Sequence, residues 1–279
     1  MQNTSARYPI RSLEAGVGVL LHLGRVGNGG VRALSAALGL TPSRTHRVLE
    51  TLRQLGFVEQ DPKTHVYHLG YRLFELGTIV ARQRGFASIA RPYLEELAKF
   101  TGETTKLAIA NQGELLYLDV VESSQMLRIS EQVGTRAPLH CTAMGKALLA
   151  FGPPTLLEQV LASQSLLQFT PQTITTAVEL RRAIALVRSD GYAIDNEEFI
   201  EGSRGLAAPI IGTDGTAEAA ISIAGPSVRL PLEKILGLST EILVLADRLS
   251  QRLHGLGQAG MTVQASVSSR ESWGATLSR

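Results

Sequence analysis

The residues best suited to chemistry in this 279-residue chain cluster at the start of one short helix. Ser43, Arg44, Thr45, His46 and Arg47 directly follow Thr41-Pro42. That pair starts helices, because a threonine oxygen accepts a backbone N–H at the N-cap and proline at the first position gives up no needed donor. An arginine fork matches the O6 and N7 edge of guanine, and a serine beside the free amides of a helix N-terminus holds a phosphate. Arg44 and Arg47 are therefore expected to read bases, with Ser43, Thr45 and His46 beside them. Lys63, in the turn Asp61-Pro62-Lys63-Thr64, is expected on a backbone phosphate. Arg7 and Arg11, read as lying before the first helix, form a basic arm suited to a minor groove, although solvation accounts for Arg7 equally well.

Other reactive side chains point to less. His140 and Cys141 are adjacent, with Asp119, Asp195 and Glu197 elsewhere in the chain. Neighbours on an extended strand face opposite ways, so the pair is poorly arranged as base and nucleophile. No catalytic residue is assigned, and the chain is not read as an enzyme. Among the histidines only His65 and His68 approach a ligand spacing, and a strand would turn them apart, so no metal or other cofactor is expected. Gly27, Gly29 and Gly30 do not follow a strand and lack the lysine and hydroxyl of a phosphate-binding loop.

Composition bounds the class. Hydrophobic residues make up 44% and charged residues 19%, which suits a globular protein with filled cores. No run approaches about 18 apolar residues, so a membrane is not an expected partner. Met1 to Pro9 is polar without an apolar signal segment, and a single cysteine permits no internal disulfide; both fit a cytoplasmic location. Charge is uneven: residues 1–85 hold 11 basic against 5 acidic side chains, a net +6, and the rest holds 16 against 20, a net −4. A basic end on a mildly acidic body is the asymmetry expected when one domain meets a polyanion.

The elements that must position these residues follow from periodicity. A helix is expected over Leu13–Gly24, with Gly24 stopping it, then a glycine loop and a second helix over Val31–Leu38. The third helix, Pro42–Leu55, turns Thr45, Val48, Leu49, Leu52 and Leu55 inward and leaves Ser43, Arg44, His46, Arg47 and Glu50 outside. Two short helices and a glycine turn make a helix-turn-helix, whose second helix enters the major groove. Phe57–Gln60 and His65–Leu69 flank a proline-containing turn as a hairpin, the wing. Gly70–Gly85 reads as a linker helix with Leu73, Leu76, Ile79 and Val80 on one side. Beyond it, strands are expected at 105–111, 115–121, 191–195, 206–211 and 217–224, with Met126–Val133 continuing in extended form. Helices are expected at 92–100, 143–150, 177–189 and 232–253. Strands and helices without strict alternation indicate an α+β sensor domain.

Taken together, Leu38-Gly39-Leu40, Leu55-Gly56-Phe57-Val58-Glu59, Thr101-Gly102-Glu103-Thr104, Pro138-Leu139-His140, Gly145-Lys146-Ala147, Phe169-Thr170-Pro171, Gly191-Tyr192-Ala193 and Ile223-Ala224-Gly225-Pro226 resemble the IclR family of bacterial transcriptional regulators, in order and over Arg11 to His254. The resemblance implies an effector-binding domain similar to the GAF fold and a linker helix that helps build the oligomer. It implies effector contacts at Ala143 and Met144, at the acid Asp195, and at the strand positions Gly205, Ser222 and Ala224. Gly205 stands where the family usually has cysteine and Ala224 where it often has serine. Both departures are expected to enlarge the pocket towards a bulkier or more apolar acid, such as an aromatic one.

The fold class is thus α+β: a winged helix-turn-helix (10–70), a linker helix (71–85) and a GAF-like antiparallel-sheet sensor domain (86–254), between a flexible start (1–9) and a disordered tail (255–279). The expected partners are double-stranded operator DNA, a small-molecule effector and the chain itself, as a dimer or tetramer. A sensor acting on a protein partner, or a GAF-like enzyme dependent on Cys141 or Asp195, are the alternatives.

Overall fold

The computed structural model describes residues 10–84, 86–163 and 166–254. Arg7, the 1–9 segment and the 255–279 tail lie outside the described residues. The chain divides into two compact units at Gly85-Phe86.

The first unit comprises α1 (Arg11–Val26), β1 (Asn28–Gly29), α2 (Val31–Leu38), α3 (Pro42–Gln54), β2 (Val58–Gln60), β3 (Tyr67–Leu69) and α4 (Arg72–Arg84). Ala15, Val19 and Leu23 recur every four residues along α1 and are buried. The helix runs past Gly24 to Val26 and ends at Gly27, whose φ of +82° lets the chain reverse. Gly24 does not stop it because a helical glycine costs only about 1 kcal/mol, less than the fully buried Leu23 beside it contributes. Arg11 opens α1 and does not precede it. The glycine loop holds a short strand, since Asn28 and Gly29 pair with His68 and Tyr67. The wing is therefore a three-stranded sheet in the order β1-β3-β2. Val19, Leu23, Leu34, Leu49, Val58 and Tyr67 form the core of this unit. Leu55, expected inward, is exposed: it is the C-cap of α3, past the last residue held by the helix.

The second unit contains α5 (Phe86–Thr101), β4 (Thr104–Asn111), β5 (Glu114–Val121), β6 (Arg136–Pro138), α6 (Ala143–Phe151), α7 (Pro154–Ser163), α8 (Ala177–Asp190), β7 (Ala193–Asn196), β8 (Ser203–Ile211), β9 (Ala217–Pro226), α9 (Leu232–Gly237) and α10 (Ser239–His254). Six strands form one antiparallel sheet in the order β6-β5-β4-β9-β8-β7. Period-two alternation gives this sheet two apolar faces. Leu206, Ala208, Ile210, Ala219, Ile221 and Ile223 pack with residues of α5, α9 and α10. Ala207, Ala220 and Ala108 pack on the other face with α6, α7 and α8. β4 and β5 turn over Gln112 and Gly113, both at positive φ, the geometry of a tight hairpin.

Three expectations change. Met126–Val133 forms no strand; residues 122–135 are an irregular loop whose Met126, Leu127 and Val133 face outward, so no buried face organises them. The helix expected over 232–253 is two helices, broken at Leu238. Pro92 lies inside α5, which begins six residues earlier, with Ala90 and Leu94 buried on either side of it. The extra helix α7 buries Leu157 and Val160, a three-residue spacing that a short apolar run does not distinguish from a strand.

Candidate nucleic-acid interface and ligand pocket

α3 is built to present one face. The Thr41 side chain accepts the Arg44 N–H at 3.3 Å, with Pro42 in the first turn. Ser43, His46 and Arg47 are exposed and Arg44 is partly so. Arg44 donates to the Arg11 carbonyl at 2.8 Å, which holds its guanidinium at the end of α3 nearest α1. Glu50 would repel a phosphate, but its ion pair with Arg53 offsets that charge; the Arg53 and Gln54 hydrogen bonds keep the carboxylate ionised, with its pKa down at about 2. Thr45, expected both inward and among the DNA contacts, is fully buried. Its Oγ1 accepts from Ser35 at 3.0 Å and donates to the Thr41 carbonyl at 3.1 Å, tying α2 to α3. It cannot reach DNA from there. Lys63 is exposed at the wing tip, where the Asp61 carboxylate accepts the N–H groups of Lys63 and Thr64 at 2.8 Å and shapes the turn. A groove between α3 and the wing is lined by His46, Glu50, Arg53, Gln60 and His65.

In the second unit Ala143, Met144, Asp195, Gly205, Ser222 and Ala224 all line one cavity. The sheet explains the convergence. Asp195, Gly205, Ala224 and Thr104 are successive cross-strand partners over β7, β8, β9 and β4. The next row on the same face joins Ala193, Ala207, Ser222 and Lys106. The small side chains of Ala193, Ala207, Ser222 and Ala224, with Gly205, let the N-terminus of α6 descend onto the sheet. Thr142 caps that helix, accepting from Gly145 N–H at 3.2 Å and donating to the Pro138 carbonyl at 2.8 Å. The Ala143 and Met144 N–H groups are the first-turn donors that no intrahelical carbonyl reaches, a positive helix end suited to a carboxylate.

Gly145 admits no side chain: a Cβ there would lie 2.3 Å from the Leu139 carbonyl oxygen. Lys146, one turn into α6, is buried in an ion pair with Glu198, which follows β7. The Asp195 carboxylate accepts the Glu198 N–H at 2.8 Å. Loss of solvent, then the nearby Glu198 charge, raises the Asp195 pKa to about 7. Thr170 and Thr173 donate to the Glu197 and Glu198 carbonyls, each at 2.6 Å, which fastens the loop after β7.

The cavity is lined further by Lys106, Tyr117, Glu131, Thr142, Phe199 and Arg204, none of them singled out from sequence. A lone lysine in an apolar strand was the available signal for Lys106. The space open to the centre of a water molecule is about 30 Å³, room for about two waters. A Cβ at Gly205 would lie 3.2 Å from the Ile223 carbonyl oxygen and 3.7 and 3.8 Å from Ala143 and Asp195, so these neighbours already bound the space beside it.

Cys141 is fully buried, and burial followed by the Asp195 and Glu198 charges pushes its thiol far up, away from nucleophilic form. His140 Nε2 lies 3.0 Å from the Leu167 carbonyl. Both residues sit in the turn before α6 and not on a strand. His65 takes a positive φ in the wing turn, and among the described residues no group of three His, Cys, Asp or Glu is arranged to hold a metal. Nor is any described helix long and apolar enough to cross a membrane.

Two family models match the chain: the IclR helix-turn-helix domain over residues 12–62, and the bacterial transcriptional regulator IclR C-terminal domain over residues 79–251. The HTH-type transcriptional regulator BhcR of Paracoccus denitrificans is 37% identical over 249 residues, covering 82% of this chain and 89% of its own. The crystal structure of the Thermotoga maritima IclR superposes with a TM-score of 0.72 at 31% identity, covering 88% of this chain and 99% of that one. An IclR homolog from Microbacterium hydrocarbonoxydans, crystallised with 4-hydroxybenzoate, gives 0.74 at 27% identity over 87% and 98% of the two chains.

Proposed function

The chain belongs to the IclR family of bacterial transcriptional regulators, and on that premise we propose how it reads DNA and what controls the reading. α3 enters the major groove with Arg44 and Arg47 on base edges, Ser43 and His46 beside them, and Lys63 on the backbone. The protein does so as a homo-oligomer on a roughly palindromic operator, because one helix reads only a half-site. An organic or aromatic acid in the sensor-unit cavity shifts the population of conformers that fit the half-site spacing.

The observation that supports effector binding most directly is the cavity itself. It joins the first-turn amides of α6, a lysine, an arginine, the two carboxyls of Asp195 and Glu131, and an apolar rim of Phe199 and Ile200. That mix suits a small anion with an apolar body. The Microbacterium homolog was crystallised with such a molecule, 4-hydroxybenzoate. An aromatic ring needs more than about 30 Å³, so its entry requires part of the lining to move.

The test is DNA binding across salt concentrations on fragments of the protein's own promoter region, comparing the wild type with Arg44→Ala/Arg47→Ala. The expected outcome is tight binding that weakens steeply with salt, and a double variant that loses about 1–3 kcal/mol of discrimination per base contact. A folded wild type without salt-sensitive DNA affinity, with and without acids added, would sink the reading.

A further inference from the structure

Lys106 projects from β4 into the cavity, its side chain only 5% exposed, with Nζ 2.5 Å from Glu131 Oε1. Its Nζ also lies 5.5 Å from the centre of the Tyr117 ring. Of the two cations that line the cavity, it is the one held by a single carboxylate. Arg204 is already held by Glu197 at 2.9 Å, by Asn196 at 2.8 Å and by the Leu230 carbonyl at 3.3 Å.

Glu131 has a different standing. It is the single residue of the 122–135 loop that lines the cavity. Its second oxygen, Oε2, is buried without a hydrogen-bond partner, a costly arrangement for a charged group. The loop is tied down by polar contacts: the Thr104 hydroxyl donates to the Ile129 carbonyl and Arg229 to the Leu127 carbonyl, both at 2.7 Å. Met126 on the same loop is 98% exposed. The loop thus puts one carboxylate into the pocket and takes no share in the core clusters.

We propose that Glu131 is a built-in stand-in for the effector's carboxylate: it pairs with Lys106 until an incoming carboxylic acid takes Lys106 by displacing it, releasing the 122–135 loop. This rests on the reading of the cavity as the effector site. Three facts converge on an exchange. An added carboxylate beside both Glu131 and Asp195 would crowd three acids around one lysine. Glu131 leaves one oxygen unbonded where a ligand of better fit need not. Its withdrawal vacates the space that an acid larger than a few atoms requires.

The experiment titrates pyruvate, benzoate and 4-hydroxybenzoate, each against its neutral amide, into the full chain by calorimetry. Hydrogen exchange of residues 122–135 is followed in parallel. The variants are Glu131→Gln, Lys106→Met/Glu131→Gln and the cavity plug Ala224→Phe, each checked for folding by thermal melting. Lys106→Met alone would strand Glu131, so the double variant serves as the loss-of-binding control. If the stand-in leaves Lys106 free about one-tenth of the time, Glu131→Gln binds acids about tenfold more tightly. The amides are unchanged, the double variant loses the acids, and acid binding raises loop exchange in the wild type. Acids that bind, are blocked by the plug, and bind Glu131→Gln no better would overturn the stand-in while leaving the pocket. Acids indifferent to the plug would overturn the pocket and the stand-in together. A folded Glu131→Gln protein that binds no acid at all would overturn the stand-in as well.

Discussion

A carboxyl group that must give up water holds its proton, and Asp195 does so up to about pH 7 against an ordinary value of 3.8. Below the lower value both folded and unfolded chains are protonated. Between the two only the folded chain keeps the proton, so this group makes stability fall as pH rises from about 4 to about 7, and the effect levels off above. Asp195→Asn should remove that slope. Melting temperatures of the two proteins at several pH values across the window will test it: the wild type should lose ground to the variant as pH rises, and parallel profiles would refute the assignment. Asp195 was reachable from sequence only because the family resemblance pointed to it. Lys106 and Glu131 were not, since a lysine in a strand reads as solvent-facing until the sheet's second face is known to be covered. Thr45 shows the converse: the helical period put it inward correctly, while its place in the run from Ser43 to Arg47 suggested DNA.

At the scale of elements, α6 depends on close approach. A Cβ at Gly145 would meet backbone, the Leu139 carbonyl oxygen at 2.3 Å, and backbone cannot swing aside. Gly145→Ala is expected to destabilise the protein by about 2–3 kcal/mol. Gly77 in α4 has nothing within 4 Å of the same position, so Gly77→Ala should be neutral or stabilising by up to about 1 kcal/mol. Urea unfolding of the two variants reads the contrast, and equal effects would contradict it. The elements that could be read from sequence were those with a period and a cap, such as α3, with Thr41 and Pro42, and the β4–β5 hairpin around Gln112-Gly113. Where a signal was purely local, tertiary packing overrode it. Gly24 lies within α1 because Leu23 anchors the turn. Met126, Leu127 and Val133 face outward, so no apolar face holds that segment as a strand, and β1 is two residues long, too short to alternate.

At the scale of the molecule, α4 carries Leu76, Ile79 and Val80 at helical spacing, all exposed within one chain. A stripe of that kind is expected to be covered by a second copy. Ile79→Asp/Val80→Asp should shift the protein to smaller species in analytical ultracentrifugation and weaken operator binding in parallel, because paired half-sites need paired readers. A variant of unchanged mass would move the seam elsewhere. The basic charge of the first 85 residues and the acidic balance of the rest were visible from composition alone. The separation they hinted at is complete in the cores: every residue of the small cluster lies between Val19 and Tyr67, and every residue of the two larger ones lies beyond Phe86. The two cores can therefore accumulate substitutions at independent rates. A lineage can repack either core while the buried contacts of the other stay as they are.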